Sequence, residues 1–140
     1  MNTNYWGYHL ILDCTACDKA KVTDGQNIIN FTKELIKRID MVPVGEPLVK
    51  RFALHDNTKA GYSMLQWIET SHLSGHFIDS NGDAYFDIFS CKPFSNAIVT
   101  STVREYFSPE NINTTYLTRD ARVKSAEVEQ FFDPLDPAQR

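Results

Sequence analysis

The chain has 140 residues, of which 42% are hydrophobic and 23% charged, as in one soluble globular domain of ordinary composition. Its net charge of −4 includes no basic run, which argues against nucleic acid or an anionic membrane surface as a partner. No apolar stretch approaches the roughly 20 residues that span a bilayer. The N-terminus lacks the basic start and apolar run of a signal peptide, so we expect a cytoplasmic protein.

The first half of the chain predicts a strand, a helix and a second strand. Residues 8–13 form a compact apolar run typical of a strand. Thr23 and Gln26 are spaced as in a capping box, and apolar residues then recur at the spacing of an amphipathic helix. These residues are Ile28, Phe31, Leu35 and Ile39. Proline and glycine between 41 and 47 predict a turn, and residues 48–52 a strand after it.

Three strands are predicted next, following a polar loop at 55–61. The segments 62–69 and 70–78 are rich in aromatic and aliphatic residues, and a strong turn signal follows at 79–83. Residues 84–91 alternate between two faces, and both faces contain apolar side chains. This pattern predicts a sheet that is covered on both sides.

The remaining elements are a second helix and a last strand. Ser95 is a suitable N-cap, Pro109 ends the helix, and residues 112–117 form the strand. From Thr118 onward the charged sequence indicates a loosely held tail. The apolar positions of the helix are Ile98, Val99, Val103 and Tyr106.

The order β-α-β-β-β-β-α-β predicts an α+β fold. We expect a two-layer sandwich with a largely antiparallel sheet and two helices on one face. Residues 1–120 are predicted to form a single domain and residues 121–140 a C-terminal tail. A domain this short gains by covering an open sheet face, so a homodimer is expected.

The cysteines do not point to a disulfide framework, because there are three and no secretion signal precedes them. Cys14 and Cys17 form a C-x-x-C motif. A redox or zinc site would need a second ligand pair or a thioredoxin-like context, and the sequence contains neither. We interpret both as small residues at the end of a strand and expect no metal site.

A hydroxyl and two imidazoles lie within six residues at Ser71, His72 and His76, and Cys91 is expected on a facing strand. A serine–histidine pair can perform nucleophilic catalysis, because a near-neutral imidazole can take the hydroxyl proton. The sequence has no G-x-S-x-G elbow and no clear acidic third member. Two histidines alone make a weak metal site. From residue types alone, polar side chains satisfied within a sheet remain the favoured interpretation.

The order and spacing of four segments change that balance. They are Gly7-Tyr8-His9-Leu10, Ser63, Ser71-His72-Leu73-Ser74-Gly75-His76 and Phe89-Ser90-Cys91. Together they resemble bacterial, pyruvoyl-dependent S-adenosylmethionine decarboxylases. That family has a Gly-x-His near its start, a cleavage site reading Glu-Ser-His-Leu-x-x-His, and a later Phe-Thr-Cys. The spacing from Ser63 to Cys91 matches without a gap, and looser similarity covers residues 7–117.

The resemblance implies a proenzyme that cleaves itself between Thr70 and Ser71. The Ser71 hydroxyl would attack the Thr70 carbonyl to form an ester, and elimination would leave a pyruvoyl group derived from Ser71. That group would form a Schiff base with S-adenosylmethionine and accept electrons as CO₂ leaves, supplying aminopropyl groups for spermidine. By position, His76 would remove the Ser71 α-proton, Ser63 would stabilise the processing intermediate, and Cys91 would return a proton to the substrate.

The sequence departs from the family pattern around the expected substrate. Thr70 stands where the family has glutamate, and Glu69 lies one residue earlier. Asp79 is the candidate to replace the acid that the family carries after its second histidine. Phe52 and His55 are candidates to stack on the adenine.

These departures leave three alternatives open. One is a pyruvoyl decarboxylase of ornithine or arginine. Another is an uncleaved relative that binds or degrades S-adenosylmethionine without a pyruvoyl group. The third is a non-catalytic regulatory subunit, which would have no need of the processing residues.

Overall fold

Six strands and three helices follow one another within residues 5–123, the part of the chain that the computed structural model describes. In chain order they are β1 (Gly7–Thr15), α1 (Lys19–Val22), α2 (Gly25–Arg38), β2 (Pro43–Phe52), β3 (Gly61–Ile68), β4 (Ser71–Phe77), β5 (Ala84–Ser90), α3 (Asn96–Phe107) and β6 (Asn111–Arg119). The strands form one sheet in the order β2-β3-β4-β5-β1-β6. Every neighbouring pair is antiparallel, so the predicted α+β sandwich is confirmed.

The core lies between the helices and one face of the sheet. Alternate residues of β5 are buried, as its period of two predicts, and the same holds for β1. Phe31 of α2 packs edge-on against Phe107 of α3 with ring centroids 4.9 Å apart, and it also contacts Phe86 of β5. Burying an aromatic side chain of this kind stabilises the fold by about 1.5–3 kcal/mol. The three helices contact one another and therefore share this face.

The opposite face of the sheet, here called the open face, carries no helix within residues 5–123. Leu65, Trp67 and Tyr85 project from it and are 37%, 58% and 42% exposed. The prediction that both faces are covered is therefore wrong for the described part of a single chain. The apolar residues of the open face were read correctly from the alternation, but nothing in this part of the chain packs on them.

Several elements differ from the sequence prediction, among them β2, which begins at Pro43 inside the predicted turn. The short helix α1 was missed, because four residues are too few to show a helical period. The N-cap of α2 is Asp24, whose carboxylate accepts hydrogen bonds from the N–H groups of Gln26 and Asn27. Thr23 instead ends α1, and its hydroxyl donates to the Lys19 carbonyl.

The last strand also runs further than predicted. β6 continues to Arg119, which pairs with Gly7, so Thr118 belongs to the sheet and not to a tail. Pairing with β1 satisfies the backbone whatever the polarity of the side chains. Residues 124–140, most of the predicted tail, lie outside the described part. None of the helices in residues 5–123 is long and apolar enough to cross a membrane.

Gly61, the first residue of β3, lies where the backbone leaves no room for a side chain. A Cβ atom there would lie 1.7 Å from the Phe77 carbonyl oxygen, so backbone would have to move. We expect Gly61→Ala to lower the free energy of unfolding by about 3 kcal/mol or more. In Gly45→Ala the new Cβ would meet nothing within 4 Å. Only the positive φ opposes it, at a cost of about 1–2 kcal/mol. Urea denaturation measures the free energy of unfolding of both variants. Equal losses of stability in Gly61→Ala and Gly45→Ala would contradict the packing argument.

Candidate active site

The β3–β4 hairpin places the predicted cleavage site at a turn. Ile68 pairs with Ser71, so Glu69 and Thr70 form the tip that joins the two strands. On the other side of β4, Ser71 pairs with Ser90, the last residue of β5. The bond between Thr70 and Ser71 therefore lies at one end of the sheet, beside the chain segment that leaves β5.

Three of the predicted residues meet at this bond. The backbone N–H of Cys91 donates a hydrogen bond of 2.9 Å to the Thr70 carbonyl oxygen, the group that Ser71 would attack. Cys91 is a free, half-buried cysteine. An N–H aimed at a carbonyl oxygen stabilises the negative charge that develops there during nucleophilic attack. The arrangement can therefore assist acyl transfer from the Thr70 carbonyl.

The backbone of Ser71 is strained. Its φ angle is 144°, a value that residues with a Cβ atom rarely adopt. Such conformations cost about 1–3 kcal/mol and persist only where the surrounding structure enforces them. Here the strands on both sides of β4 hold the residue in place. Breaking the peptide bond before Ser71 would release this strain.

Ser63 and His76 meet at the other end of the hairpin. They are cross-strand partners, and Ser63 Oγ is hydrogen-bonded to His76 Nδ1 at 3.0 Å. His76 lies five residues beyond Ser71 on the same strand. At 3.2–3.4 Å per residue this separation is about 16 Å. Within one chain, the pair is therefore out of contact with the bond that it was predicted to process.

The candidate substrate-binding residues divide in the same way. Phe52 is 54% exposed and pairs with Gly61, while His55 lies exposed in the loop between β2 and β3. The Asp79 carboxylate is ion-paired with Arg51 and is therefore not free. Glu69 is exposed and lies beside Thr70.

The predicted site thus consists of two groups at opposite ends of the β3–β4 hairpin. We call the first the cleavage end; it comprises Glu69, Thr70, Ser71 and Cys91. We call the second the histidine end; it comprises Phe52, His55, Ser63, His76 and Asp79.

The open face also brings His9, His72 and Phe89 of the motif segments together with Asp87 and Arg119, which the sequence did not single out. His9 Nε2 donates to Asp87 Oδ1 at 3.0 Å. The ring of Phe89 contacts those of His9 and His72, and the Arg119 guanidinium lies 4.6 Å from its centroid. Alternation along β5 had placed Asp87 and Phe89 on the face of Cys91. Their partners come from β1, β4 and β6, and nothing local in the sequence shows that β1 and β6 are neighbours.

The C-x-x-C motif is separate from both ends. Cys14 and Cys17 are buried, and their mutual hydrogen bond and burial raise the pKa of the Cys14 thiol well above its usual range. A neutral, buried thiol is a poor nucleophile. Within residues 5–123, no cluster of three or more histidine, cysteine or acidic side chains could hold a metal ion.

The sequence matches a known family over most of its length. The family model described as S-adenosylmethionine decarboxylase matches residues 8–120. The chain belongs to the S-adenosylmethionine decarboxylase family. A relative from Clostridium botulinum (strain Langeland, Type F), named S-adenosylmethionine decarboxylase proenzyme, is 28% identical over 102 residues, which are 72% of this chain and 83% of the relative. A proenzyme of the same name from strain Hall (Type A) is 25% identical over 126 residues, 90% of this chain and 92% of the relative.

The fold of this family member is that of a solved decarboxylase. The crystal structure of the adenosylmethionine decarboxylase from Aquifex aeolicus superposes with a TM-score of 0.71, covering 87% of this chain and 97% of that one. Sequence identity over the match is 16%, so the comparison confirms the architecture alone. The family resemblance inferred from the four segments is confirmed.

Proposed function

We propose that the chain is a proenzyme that cleaves itself between Thr70 and Ser71 and then decarboxylates S-adenosylmethionine. The observation that carries this proposal is the geometry of that one peptide bond. Its carbonyl accepts the Cys91 N–H at 2.9 Å, and the serine that follows it has a strained φ of 144°. Family membership supports the activity, and the names of the relatives support the substrate.

The cleavage chemistry follows from these groups. The Ser71 hydroxyl oxygen bonds to the Thr70 carbonyl carbon, while the Cys91 N–H stabilises the oxyanion. Loss of the Ser71 nitrogen from that carbon leaves an ester. A base then removes the Ser71 α-proton, and the C–O bond breaks with Thr70 departing as a carboxylate. Water replaces the nitrogen of the resulting unsaturated residue and ammonia leaves, so the second fragment begins with a pyruvoyl group.

The residues at the cleavage end fit that group. A pyruvoyl group there would supply an electron sink for the departure of CO₂. Cys91 is half-buried and its backbone adjoins Thr70, which supports the proposal that its thiol returns a proton to the substrate carbon. After cleavage the backbone N–H of Cys91 would still donate to the carboxylate that Thr70 forms.

If His76 is the base, it must come from a second chain, because it lies about 16 Å along the strand from Ser71 in its own chain. We propose a homodimer whose open faces pack together, about 10 Å apart, as sheets do. A two-fold axis crossing the strands at the middle of this face would place each cleavage end opposite the other chain's histidine end. The same packing would cover Trp67 and Tyr85.

The intact mass of the purified protein under denaturing conditions tests the proposal. We expect two fragments that meet between Thr70 and Ser71. Their summed mass should exceed that of the uncut chain by one water less one ammonia, and the second fragment should react with a hydrazide. A single uncut chain would refute self-cleavage and favour the alternative of a relative that binds S-adenosylmethionine without a pyruvoyl group.

Cys91→Ala separates cleavage from turnover. The backbone N–H is retained, so the chain should still be cut, whereas loss of the thiol should slow decarboxylation roughly 100- to 10,000-fold. Fragment masses and CO₂ release measure the two effects. Cys17→Ala, which removes a buried thiol away from the site, is the matched control and should keep turnover. An uncut Cys91→Ala chain would show that the side chain also takes part in processing.

The ion pair of Asp79 is a reason to test basic amino acids as an alternative substrate class. The carboxylate of Asp79 is ion-paired with Arg51, so it is not free to replace the acid that the family carries after its second histidine. CO₂ release should therefore be compared for S-adenosylmethionine, ornithine and arginine. Release only from a basic amino acid would keep the pyruvoyl chemistry and change the substrate. The contribution to spermidine synthesis and the cytoplasmic location stay predictions.

A further inference from the structure

A pair of hydroxyl groups lies directly beneath the cleavage site. Thr70 Oγ1 and Ser90 Oγ are 2.7 Å apart, and Ser90 is completely buried. Thr70 precedes the bond to be cut, and Ser90 precedes Cys91, whose N–H binds the Thr70 carbonyl. Thr70 is therefore tied to this segment twice, through its side chain to Ser90 and through its carbonyl to the Cys91 N–H.

Both hydroxyls are held by further contacts. The backbone N–H of Lys92 donates to Ser90 Oγ at 3.0 Å, and the Lys92 ammonium donates to the Asp40 carbonyl at 2.6 Å. Thr70 Oγ1 donates to Met41 Sδ at 3.4 Å. Because threonine is branched at Cβ, a hydrogen bond to its hydroxyl also restricts the rotation of the residue about χ1. The Thr70 carbonyl is thereby kept in one orientation.

We propose that Ser90 is a positioning residue for self-cleavage, acting through Thr70. The inference rests on the proposed function, because it concerns the rate of the same cleavage. Thr70 replaces the glutamate of the family pattern, and its side chain turns to a buried serine instead of carrying a free carboxylate. The Thr70–Ser90 pair holds the scissile carbonyl on the Cys91 N–H, where the Ser71 hydroxyl attacks it.

The test is the first-order rate at which fragments appear after pulse-labelled, cell-free synthesis of the full chain. We expect Ser90→Ala and Thr70→Val each to slow cleavage about 10- to 100-fold, as misplacement of a reacting group does. The double variant should be no slower than the slower single variant, because both remove the same contact. Ser90→Thr, which keeps the hydroxyl, should restore cleavage to within about threefold of the wild-type rate.

Two controls separate positioning from general loss of stability. Thr32→Val also removes a buried hydroxyl, one that donates to the Ile28 carbonyl at 2.8 Å in α2, and it should cleave at the wild-type rate. Hydroxylamine attacks esters, so it should release fragments from His76→Ala, which is blocked after the ester forms. In Ser90→Ala, which is slowed before that step, hydroxylamine should not speed the appearance of fragments.

The possible outcomes are distinct. If the wild type is cut and Ser90→Ala and Thr70→Val are cut equally fast, the positioning role is refuted and the proposed function stands. Faster release of fragments from Ser90→Ala when hydroxylamine is added would also refute it. If circular dichroism shows that Ser90→Ala does not fold, the cleavage rate of Thr70→Val tests the positioning role. That variant removes the same hydrogen bond at Thr70, which is only half-buried. An uncut wild type would overturn the proposed function and this inference together.

Discussion

Replacing Ser71 by alanine should give a single uncut chain with no measurable decarboxylation. The variant lacks the hydroxyl that attacks the Thr70 carbonyl, so no ester forms and no pyruvoyl group follows. Activity should fall by at least about a thousandfold, because nothing else in the site can accept the electrons released with CO₂. The fold should survive, since Ser71 is half-buried at a strand end and alanine is smaller.

Ser74→Ala is the matched control for this variant. Ser74 lies on the same strand and is also half-buried, but it belongs to neither the cleavage end nor the histidine end. It should be cut and remain active. Intact mass and CO₂ release are the two measurements. Full activity of Ser71→Ala would end the pyruvoyl proposal, whatever the mass shows.

Mixing two inactive variants should restore cleavage if the base comes from a second chain. A Ser71→Ala chain keeps His76 but cannot be cut, and a His76→Ala chain keeps Ser71 but lacks the base. Alone, each should remain uncut. When they are co-expressed in equal amounts and pair at random, about half of the His76→Ala chains should meet a complementing partner and be cut. Intact mass identifies which of the two chains is cleaved.

The control for this experiment is a helper chain that carries both substitutions, Ser71→Ala and His76→Ala. It can pair but supplies no base, so it should restore nothing. Size-exclusion chromatography of the wild type should show a dimer. A monomer at working concentration, or no cleavage in the complementing mixture, would contradict the shared site. Efficient cleavage of His76→Ala on its own would show that His76 is not the base.

Much of this molecule follows from short-range patterns. The alternation along β5 predicted its buried and exposed faces, because side chains of a strand point alternately to opposite sides. Ser95 was correctly predicted as the N-cap of α3, and its hydroxyl accepts the Ile98 N–H at 3.2 Å. The capping-box spacing predicted Thr23 as the N-cap of α2, but Thr23 ends α1 and its neighbour Asp24 caps α2.

The contacts at the candidate site lie beyond such patterns. The spacing of Ser63, Ser71, His76 and Cys91 indicated the family, yet it did not show that these residues divide into two ends. Once β4 is known to be a strand, the distance from Ser71 to His76 follows from its rise per residue. The sequence does not show which residues of a neighbouring strand lie beside each end of the hairpin. Any pairing register would satisfy the backbone hydrogen bonds equally well.

The sequence by itself determined every element but α1, the antiparallel α+β class and the family, since these depend on periodicity and on the order of motifs. Only the tertiary structure decided that Cys91 binds the Thr70 carbonyl, that Thr70 turns to Ser90, and that Arg51 occupies Asp79. These partners lie 20 or more residues apart in sequence, as Thr70 and Ser90 do. The register of the sheet brings them together, and that register is selected by burial of the whole apolar face at once.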